Sequence, residues 1–279
     1  LLDIPDMTCD GSFALGGCVC AVLIVNNNVD PLLAVLAGMC AGAIAGAVTG
    51  ILTTVFEIPA ILAGILTQIS LWSINLRIMG SKANVAINLD NYTLLVSLRN
   101  VKKLIPQNPI LVVAVFTVVV IALLYWFFGT ELGCAIRATG SNPAMSRAQG
   151  INTNFNIVLG LAVSNGLVAL SGALLSQYQG FADVGMGRGA IVIGLAAVII
   201  GEALFSRIFH NFALKLFAVS LGAIIYYIVI QLVLTLGFDA NLLKLLSASV
   251  VAIFLAVPYW KGKYFSKPVK KAKEDAKNA

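Results

Sequence analysis

Long, uninterrupted apolar runs limit what this chain can fold into more than any other feature. Residues 110–128 and residues 157–175 are each about long enough to cross a bilayer core of ~30 Å as a helix, which takes ~20 residues. A membrane β-barrel would show segments of about ten alternating residues, and these runs do not alternate. Charged residues make up only 11% of the 279-residue chain, against about 25% in soluble domains. The sequence therefore predicts an all-α, polytopic integral membrane helical bundle.

The apolar runs divide the chain into about eight spans or half-spans, counted at ~20 residues per crossing. Full spans are predicted at residues 32–56, 60–79, 110–128, 157–175, 212–236 and 241–260. Residues 13–25 make only about half a span unless the helix is extended beyond them, and a half-span is typical of a broken or re-entrant helix. Residues 190–205 either span or re-enter. The chain opens at Leu1 on an acidic, turn-like stretch without a signal-peptide pattern, and we expect a first span to be missing ahead of it.

Four glycines recur every four residues in the predicted span 32–56. They are Gly38, Gly42, Gly46 and Gly50. Residues at this spacing lie on one face of a helix, and small residues there let a neighbouring backbone approach closely. The spacing predicts a glycine groove for helix packing, with a pore-lining role as the alternative.

Residues 129–153 form a polar stretch between two predicted spans and contain a well-marked short helix. Asn142 suits the N-cap position, and Pro143 suits the first helical position because its missing N–H would be unpaired there anyway. Residues 143–149 make about two turns, and Gly150 suits a left-handed stop after them. A short capped helix between two spans is typical of a docking element.

Basic residues predict that the C-terminal end and the 129–153 loop face the cytoplasm. Residues 261–279 are rich in lysine and are predicted to form a disordered cytoplasmic tail. Four predicted crossings separate this tail from the loop, so both lie on one side, unless residues 190–205 re-enter, in which case the count fails. The loop 80–108 counts against this orientation, because it is also basic and would lie outside. The net charge of +6 is explained by orientation in the membrane rather than by nucleic-acid binding.

The sequence contains no recognisable catalytic or metal-binding motif. There is no HExxH, no nucleophile with a base and no Walker A lysine loop, and the cysteines lack metal-ligand spacing. Glu57 and Glu202 lie at predicted helix ends, whereas a proton-driven carrier needs ionisable groups deep in the membrane. We therefore expect no enzyme activity, no metal or cofactor bound by this chain, and a membrane pathway energised by a separate ATPase.

The polar loop reads LGCAIRATGSNP from residue 132 and RAQGI from residue 147. It resembles the cytoplasmic loop of ABC importer permeases of the branched-chain amino acid and ribose type, which depend on a binding protein. Residues 6–13 and 169–174 also resemble that family, and the resemblance covers roughly residues 3–258. The whole chain, including residues 177–183, resembles a subgroup associated with the uptake of amino acids, aromatic amino acids being the expected kind. Within the loop, the family pattern is matched at Gly133, Arg137, Ala138, Gly140, Asn142, Gly150 and Ile151.

The resemblance implies the permease subunit of an ATP-binding-cassette importer in the plasma membrane, with residues 1–260 as its transmembrane domain. It further implies cytoplasmic ATP-binding subunits, a second permease copy as a homodimer, and an extracellular or periplasmic substrate-binding protein. Membrane lipid surrounds such a complex, and nucleic acid is not a partner. Anchoring at the cytoplasmic face explains the two arginines of the loop about as well as coupling does. The residues expected to couple to the ATPase are Arg137, Gly140, Asn142, Pro143, Ala144, Arg147 and Gly150.

Polar and aromatic residues inside the predicted spans are candidates for the substrate path. Polar groups at that depth face a bundle interior or a water-filled route, and an indole ring can stack on a solute. Packing explains these residues about as well. The predicted path residues are Gln68, Trp72, Asn75, Ser164 and Asn165. Gln177, Tyr178 and Asp183 are predicted at the outer mouth or the binding-protein contact.

Two other functions remain open from the sequence. A stand-alone secondary transporter or facilitator would work without an ATPase and would need acidic groups inside the membrane. A polytopic membrane enzyme would need a metal or nucleophile motif.

Overall fold

The computed structural model describes residues 2, 4–87, 94–96, 108–205 and 211–235, together with residues 245, 248, 249 and 252. Within these residues the elements are α1 (Cys9–Asn27), α2 (Pro31–Thr54), α3 (Ala60–Ile78), β1 (Asn84–Ala86), α4 (Pro109–Gly129), α5 (Glu131–Ser141), α6 (Pro143–Ala148), α7 (Thr153–Gln179), β2 (Phe181–Asp183), α8 (Ala190–Phe205) and α9 (Phe212–Thr235). The chain divides into two compact units, residues 1–191 and residues 192–279. The predicted tail and nearly all of the predicted span 241–260 lie outside the described residues.

Helix length and composition confirm the prediction of an all-α, multi-pass membrane protein. Among the described residues, six helices are long and apolar enough to cross a membrane, namely α1, α2, α3, α4, α7 and residues 212–232 of α9. The expectation of a half-span at residues 13–25 is wrong, because α1 has 19 residues and begins at Cys9. Asp10 and Ser12 belong to the stretch that the sequence predicted as turn-like, but they lie in the first helical turn of α1. Their side chains form hydrogen bonds with Gly189 and Asn165, which are distant in the sequence. α8 has 16 residues and is the shorter apolar helix.

Glycine contacts hold α1, α2 and α7 together in the first unit. A Cβ atom added at Gly42 would overlap the side chain of Ala169, and one added at Gly46 would overlap the carbonyl oxygen of Leu161. Gly16 of α1 is equally tight against the backbone of Ala169. In lipid, where apolar side chains gain little by leaving their surroundings, close backbone packing of this kind is a main source of helix association. The predicted glycine groove on α2 is confirmed as a packing face.

α1 runs parallel to α7 and begins roughly a third of the way along it, about one turn before the level of Asn165. Ser12 of α1 bonds to Asn165 and Cys20 bonds to Gln177, so residue numbers increase together along the two helices. Asn165 lies about 18 Å from the start of α7, a helix of about 40 Å, at ~1.5 Å per residue. Ahead of α1, Leu2 lies against Gly160 of α7. The described residues before α1, Leu2 and residues 4–8, are therefore non-helical backbone packed against the bundle, with Thr8 buried.

A second element also begins at this depth. After β2, which pairs with β1 in antiparallel register, residues 184–189 turn back into the bundle. Gly187 lies against the carbonyl oxygen of Asp10, and a Cβ atom there would overlap it. The carboxylate of Asp10 accepts hydrogen bonds from the backbone N–H groups of Gly189 and Ile191, both at 3.0 Å. The first turn of α1 and the start of α8, up to Ile191, therefore meet inside the first unit.

The second unit contains the rest of α8 and α9. These helices also approach through glycine, since a Cβ atom at Gly222 would overlap the carbonyl oxygen of Ala197. Ala196, Ile200 and Tyr226 form the buried cluster between them.

Candidate functional site: a coupling end and an interior polar face

The polar loop contains a helix that the sequence reading missed. α5 occupies residues 131–141 and lies directly before the predicted short helix. Its buried face carries Ile136 and Thr139, and the Thr139 hydroxyl accepts a hydrogen bond of 3.1 Å from the Asn156 side chain of α7. The two glycines in α5 made this segment read as loop. The signal that would have found it is the spacing of Gly133, Ile136 and Thr139, which places them on one helix face.

The predicted short helix is present as α6, with the predicted caps. The Asn142 side-chain oxygen accepts a hydrogen bond from the Met145 N–H at 3.0 Å, and Pro143 is the first helical residue. The helix ends at Ala148, one residue earlier than predicted. Gly150 has a φ of 80°, and the N–H of Ile151 returns to the carbonyl of Ser146 at 3.0 Å. This pattern is a Schellman stop, which requires the left-handed conformation that glycine adopts without strain.

α6 presents almost its whole surface outward. All of its residues are exposed except Ser146, and Met145 is 61% exposed. The Arg147 Nε atom donates a hydrogen bond of 2.8 Å to the Thr153 hydroxyl at the start of α7. Arg137 is also exposed, and one of its terminal nitrogen atoms lies 3.2 Å from the sulfur of Cys134. Within the described parts of the chain neither arginine forms an ion pair. The loop is thus a small, rigid, basic projection anchored to α7.

An open cleft of about 620 Å³ lies beside this projection. Its walls come from the end of α2, the chain after it and the start of α7. Glu57 and Arg147 supply charges of opposite sign, and Glu57 has a φ of 53°, which is uncommon for a residue with a side chain. The lining residues are Thr53, Thr54, Glu57, Arg147, Ile151, Asn152, Thr153, Asn154 and Ile157.

The predicted path residues of α7 lie on different sides of the helix. Ser164 is exposed, whereas Asn165 is 0% exposed. The Asn165 amide accepts a hydrogen bond of 2.7 Å from the Ser12 hydroxyl and donates to the Asp6 carboxylate at 2.6 Å and the Leu161 carbonyl at 3.0 Å. Its hydrogen-bonding groups are occupied within the chain, so in this structure Asn165 positions the start of α1.

A second polar cluster near the same depth was not predicted. The Thr8 and Thr49 hydroxyl groups lie 2.8 Å apart, and Thr49 donates to the Thr67 hydroxyl at 2.9 Å. These threonines connect the start of α1 with α2 and α3. All three are buried, and a threonine inside an apolar run gives no sign in the sequence of which partner it will meet.

The predicted path residues of α3 occupy one face of that helix, together with an arginine that the sequence reading missed. Gln68 is half-buried, Trp72 is 41% exposed and Asn75 is 1% exposed. The Arg188 guanidinium carbon lies 4.3 Å from the centre of the Trp72 ring. The Asn75 side-chain oxygen has no hydrogen-bond partner among the described residues. In the sequence, Arg188 lies in a glycine-rich segment far from α3, so only the tertiary structure shows that it contacts Trp72.

The three residues predicted at the outer mouth form contacts within the chain. Gln177 is 0% exposed, and its amide nitrogen donates to the Pro31 carbonyl at 3.1 Å while its oxygen accepts from the Leu95 N–H at 3.2 Å. Tyr178 is half-buried. The Asp183 carboxylate accepts from the Gly185 N–H at 2.5 Å and so shapes the turn that leads to Arg188. Gln177 is therefore not accessible to a binding protein in this structure.

Comparison with known proteins shows which family the chain resembles. The chain matches the model of the family described as "Branched-chain amino acid transport system / permease component" over residues 1–257. It is 38% identical over 260 residues to a "Tyrosine transport system permease protein" of Clostridioides difficile (strain R20291), a match that covers 92% of this chain and 82% of the relative. It is also 34% identical over 259 residues to an uncharacterised protein of Rickettsia prowazekii (strain Madrid E), covering 92% and 88% of the two chains. No solved structure matches the chain significantly.

Permeases of this family work with ATP-binding subunits and a binding protein. The chain therefore belongs to the branched-chain amino acid transport system permease family, as a permease subunit of an ATP-binding-cassette importer.

Proposed function

We propose that this chain forms one half of the path of an amino acid importer, with tyrosine or a related aromatic amino acid as its substrate, and that α6 receives the movement of the ATP-binding subunits. The name of the relative at 38% identity supports the substrate class. The observation that carries the coupling role is the geometry of α6, a helix capped at both ends that projects from the bundle with its side chains exposed.

The same proposal assigns the remaining partners and the orientation. ATP hydrolysis takes place in the partner subunits, and this chain binds no cofactor. Two copies form a homodimer in the plasma membrane, surrounded by lipid, with α6 and the C-terminal tail in the cytoplasm and the binding protein at the opposite face. The residues proposed to couple are those of the loop motif. A stand-alone carrier receives no support from the family match.

Movement of α6 has a direct route into the bundle. The hydrogen bonds from Arg147 to Thr153 and from Asn156 to Thr139 tie the loop to the first turns of α7. α7 in turn packs without gaps on α1 and α2 through their glycines. Because close-packed helices move as rigid bodies rather than deforming continuously, a shift of the loop on ATP binding displaces the polar start of α1.

Co-purification tests the coupling role. Met145→Glu places a carboxylate on the large, exposed apolar residue of α6 and is expected to lower the amount of ATP-binding subunit that stays with the permease at least tenfold. Phe181→Glu is the matched control, since Phe181 is 38% exposed and belongs to the strand pair at the other end of the first unit. Equal retention of the ATP-binding subunit in both variants would contradict the role proposed for α6.

Uptake tests the substrate class. Proteoliposomes that contain the permease and its ATP-binding subunits are given the binding protein and radiolabelled L-tyrosine. We expect accumulation that requires ATP inside and stops when the binding protein is withheld. Accumulation that follows a proton gradient without ATP would contradict the proposal.

A further inference from the structure

We propose that Arg188, held against Trp72, is a substrate-contacting residue that binds the carboxylate of the transported amino acid inside the membrane. The inference rests on the proposed function and names the group of the substrate that is recognised. It starts from a charge at an unusual depth. Arginine inside a membrane is costly, and where it occurs it pairs with an acid or lines a functional path.

The depth of Arg188 follows from its neighbours. The backbone on both sides of it is fixed at the start of α1, with Gly187 against the Asp10 carbonyl and Gly189 bonded to the Asp10 carboxylate. Its guanidinium lies over Trp72, about 18 Å from the start of α3 and about 9 Å from its end at ~1.5 Å per residue. The contact with Trp72 therefore places the charge of Arg188 along the length of α3, away from both helix ends.

The charge of Arg188 is unpaired within the part of the chain that the structure describes. No acidic oxygen there forms an ion pair with it. Asp10, whose carboxylate bonds to the residue after Arg188, already accepts two backbone hydrogen bonds, and Asp183 accepts one from Gly185. The cation–π contact with Trp72 orients the guanidinium plane but satisfies none of its five N–H groups. These donors remain available to a planar anion.

The chemistry of the Arg188 guanidinium fits a carboxylate. A guanidinium binds a carboxylate through two parallel hydrogen bonds, and the geometry is specific for such planar groups. Both Arg188 and Trp72 are exposed in the single chain, so the described residues leave the guanidinium accessible. Every α-amino acid carries this carboxylate, so Arg188 would serve a common group while side-chain selectivity resides elsewhere.

The experiment measures uptake of radiolabelled L-tyrosine and ATP hydrolysis in the same proteoliposomes, so that transport is separated from coupling. Arg188→Gln is expected to lower uptake at least tenfold while ATP hydrolysis stimulated by the loaded binding protein stays within twofold of wild type. Arg188→Lys keeps the charge without the planar fork and is expected to retain an intermediate rate. Arg77→Gln, which removes an exposed arginine from the last turn of α3, is the matched control and is expected to transport like wild type.

Three outcomes would overturn the inference. They are wild-type uptake by Arg188→Gln, an equal fall of uptake and ATP hydrolysis, and loss of the permease dimer in Arg188→Gln, which would show that the arginine pairs with the second copy. Failure of the wild-type complex to take up tyrosine would instead count against the proposed function. The two failures are distinguishable, because this one is observed without any substitution in the chain.

Chemical restoration of the charge gives a second readout that does not depend on how well the glutamine variant folds. Arg188→Cys is made in a chain whose five natural cysteines are replaced by alanine, and is treated with an ethylammonium methanethiosulfonate or with the neutral methyl reagent. Recovery of uptake by at least threefold with the cationic reagent alone supports the inference. Equal results with both reagents overturn it.

Discussion

The coupling loop and the interior junction of α1 with α8 are both held by caps on helix ends, yet they are specified in different ways. In the coupling loop, Asn142 caps a backbone N–H three residues away. In the junction, Asp10 caps a backbone N–H 179 residues away. The first kind of cap is visible as a local motif, and the second exists only once the chain has folded. The loop can therefore move as a preformed unit, whereas the junction depends on the whole first unit.

The largest expected effect comes from breaking the distant cap. Asp10→Ala leaves the N–H groups of Gly189 and Ile191 without an acceptor inside the bundle. Because hydrogen bonds to a charged acceptor contribute about 1.5–3 kcal/mol each, we expect a loss of at least ~3 kcal/mol, measured as thermal unfolding in detergent. Asp30→Ala is the matched control, since Asp30 caps the exposed start of α2 and its loss costs about 1 kcal/mol. Equal losses would mean that the junction is not a tertiary cap.

A smaller effect is expected where backbones meet. Gly16→Ala places a Cβ atom into the Ala169 carbonyl, and the overlap must push α1 away from α7, at a cost of about 1–3 kcal/mol. Gly129→Ala is the control, because no atom lies within 4 Å of the position its Cβ would take. Chemical denaturation of both variants checks the prediction. A stable Gly16→Ala protein would show that the helix contact is looser than described.

The local cap should matter less for stability and more for coupling. Asn142→Ala removes the acceptor for the Met145 N–H, and an N-cap substitution of this kind costs about 1 kcal/mol. We expect faster amide hydrogen exchange confined to α6, with global unfolding unchanged and tyrosine uptake reduced. Asn142→Asp keeps an acceptor at the same position and should behave like wild type. Exchange that rises throughout α7 would show that the loop is not an independent unit.

The smallest effect on stability is expected at Asn75. Its side-chain oxygen is buried without a partner among the described residues, and replacement of an unsatisfied polar group by an apolar one of similar shape is close to neutral or stabilising. Asn75→Leu should therefore unfold at or above the wild-type temperature. Reduced tyrosine uptake in this stable variant would identify Asn75 as a path residue, and unchanged uptake would assign it to packing.

The residues that sequence reasoning placed correctly are those with local signals. The caps of α6 and its Gly150 stop follow from residue type and position alone, and the four-residue glycine spacing on α2 predicted the packing face. α5 was missed because its glycines resemble a loop, although its buried face could have been found. Residues predicted for the path and the mouth have no such signal. Asn165 and Gln177 are saturated by contacts within the chain, and Ser164 faces outward.

The sequence by itself determined that this chain is a helical membrane protein, where most of its spans begin and end, and which short helix projects from it, because hydrophobic length and capping act over a few residues. The tertiary structure alone decided where α1 and α8 begin and what surrounds their first turns. It also placed Arg188 beside Trp72, although the two residues are far apart in the sequence. Such positions depend on which helices pack together. Helix packing here is governed by close contacts between glycines and the backbones of other helices, and no local sequence pattern identifies those partners.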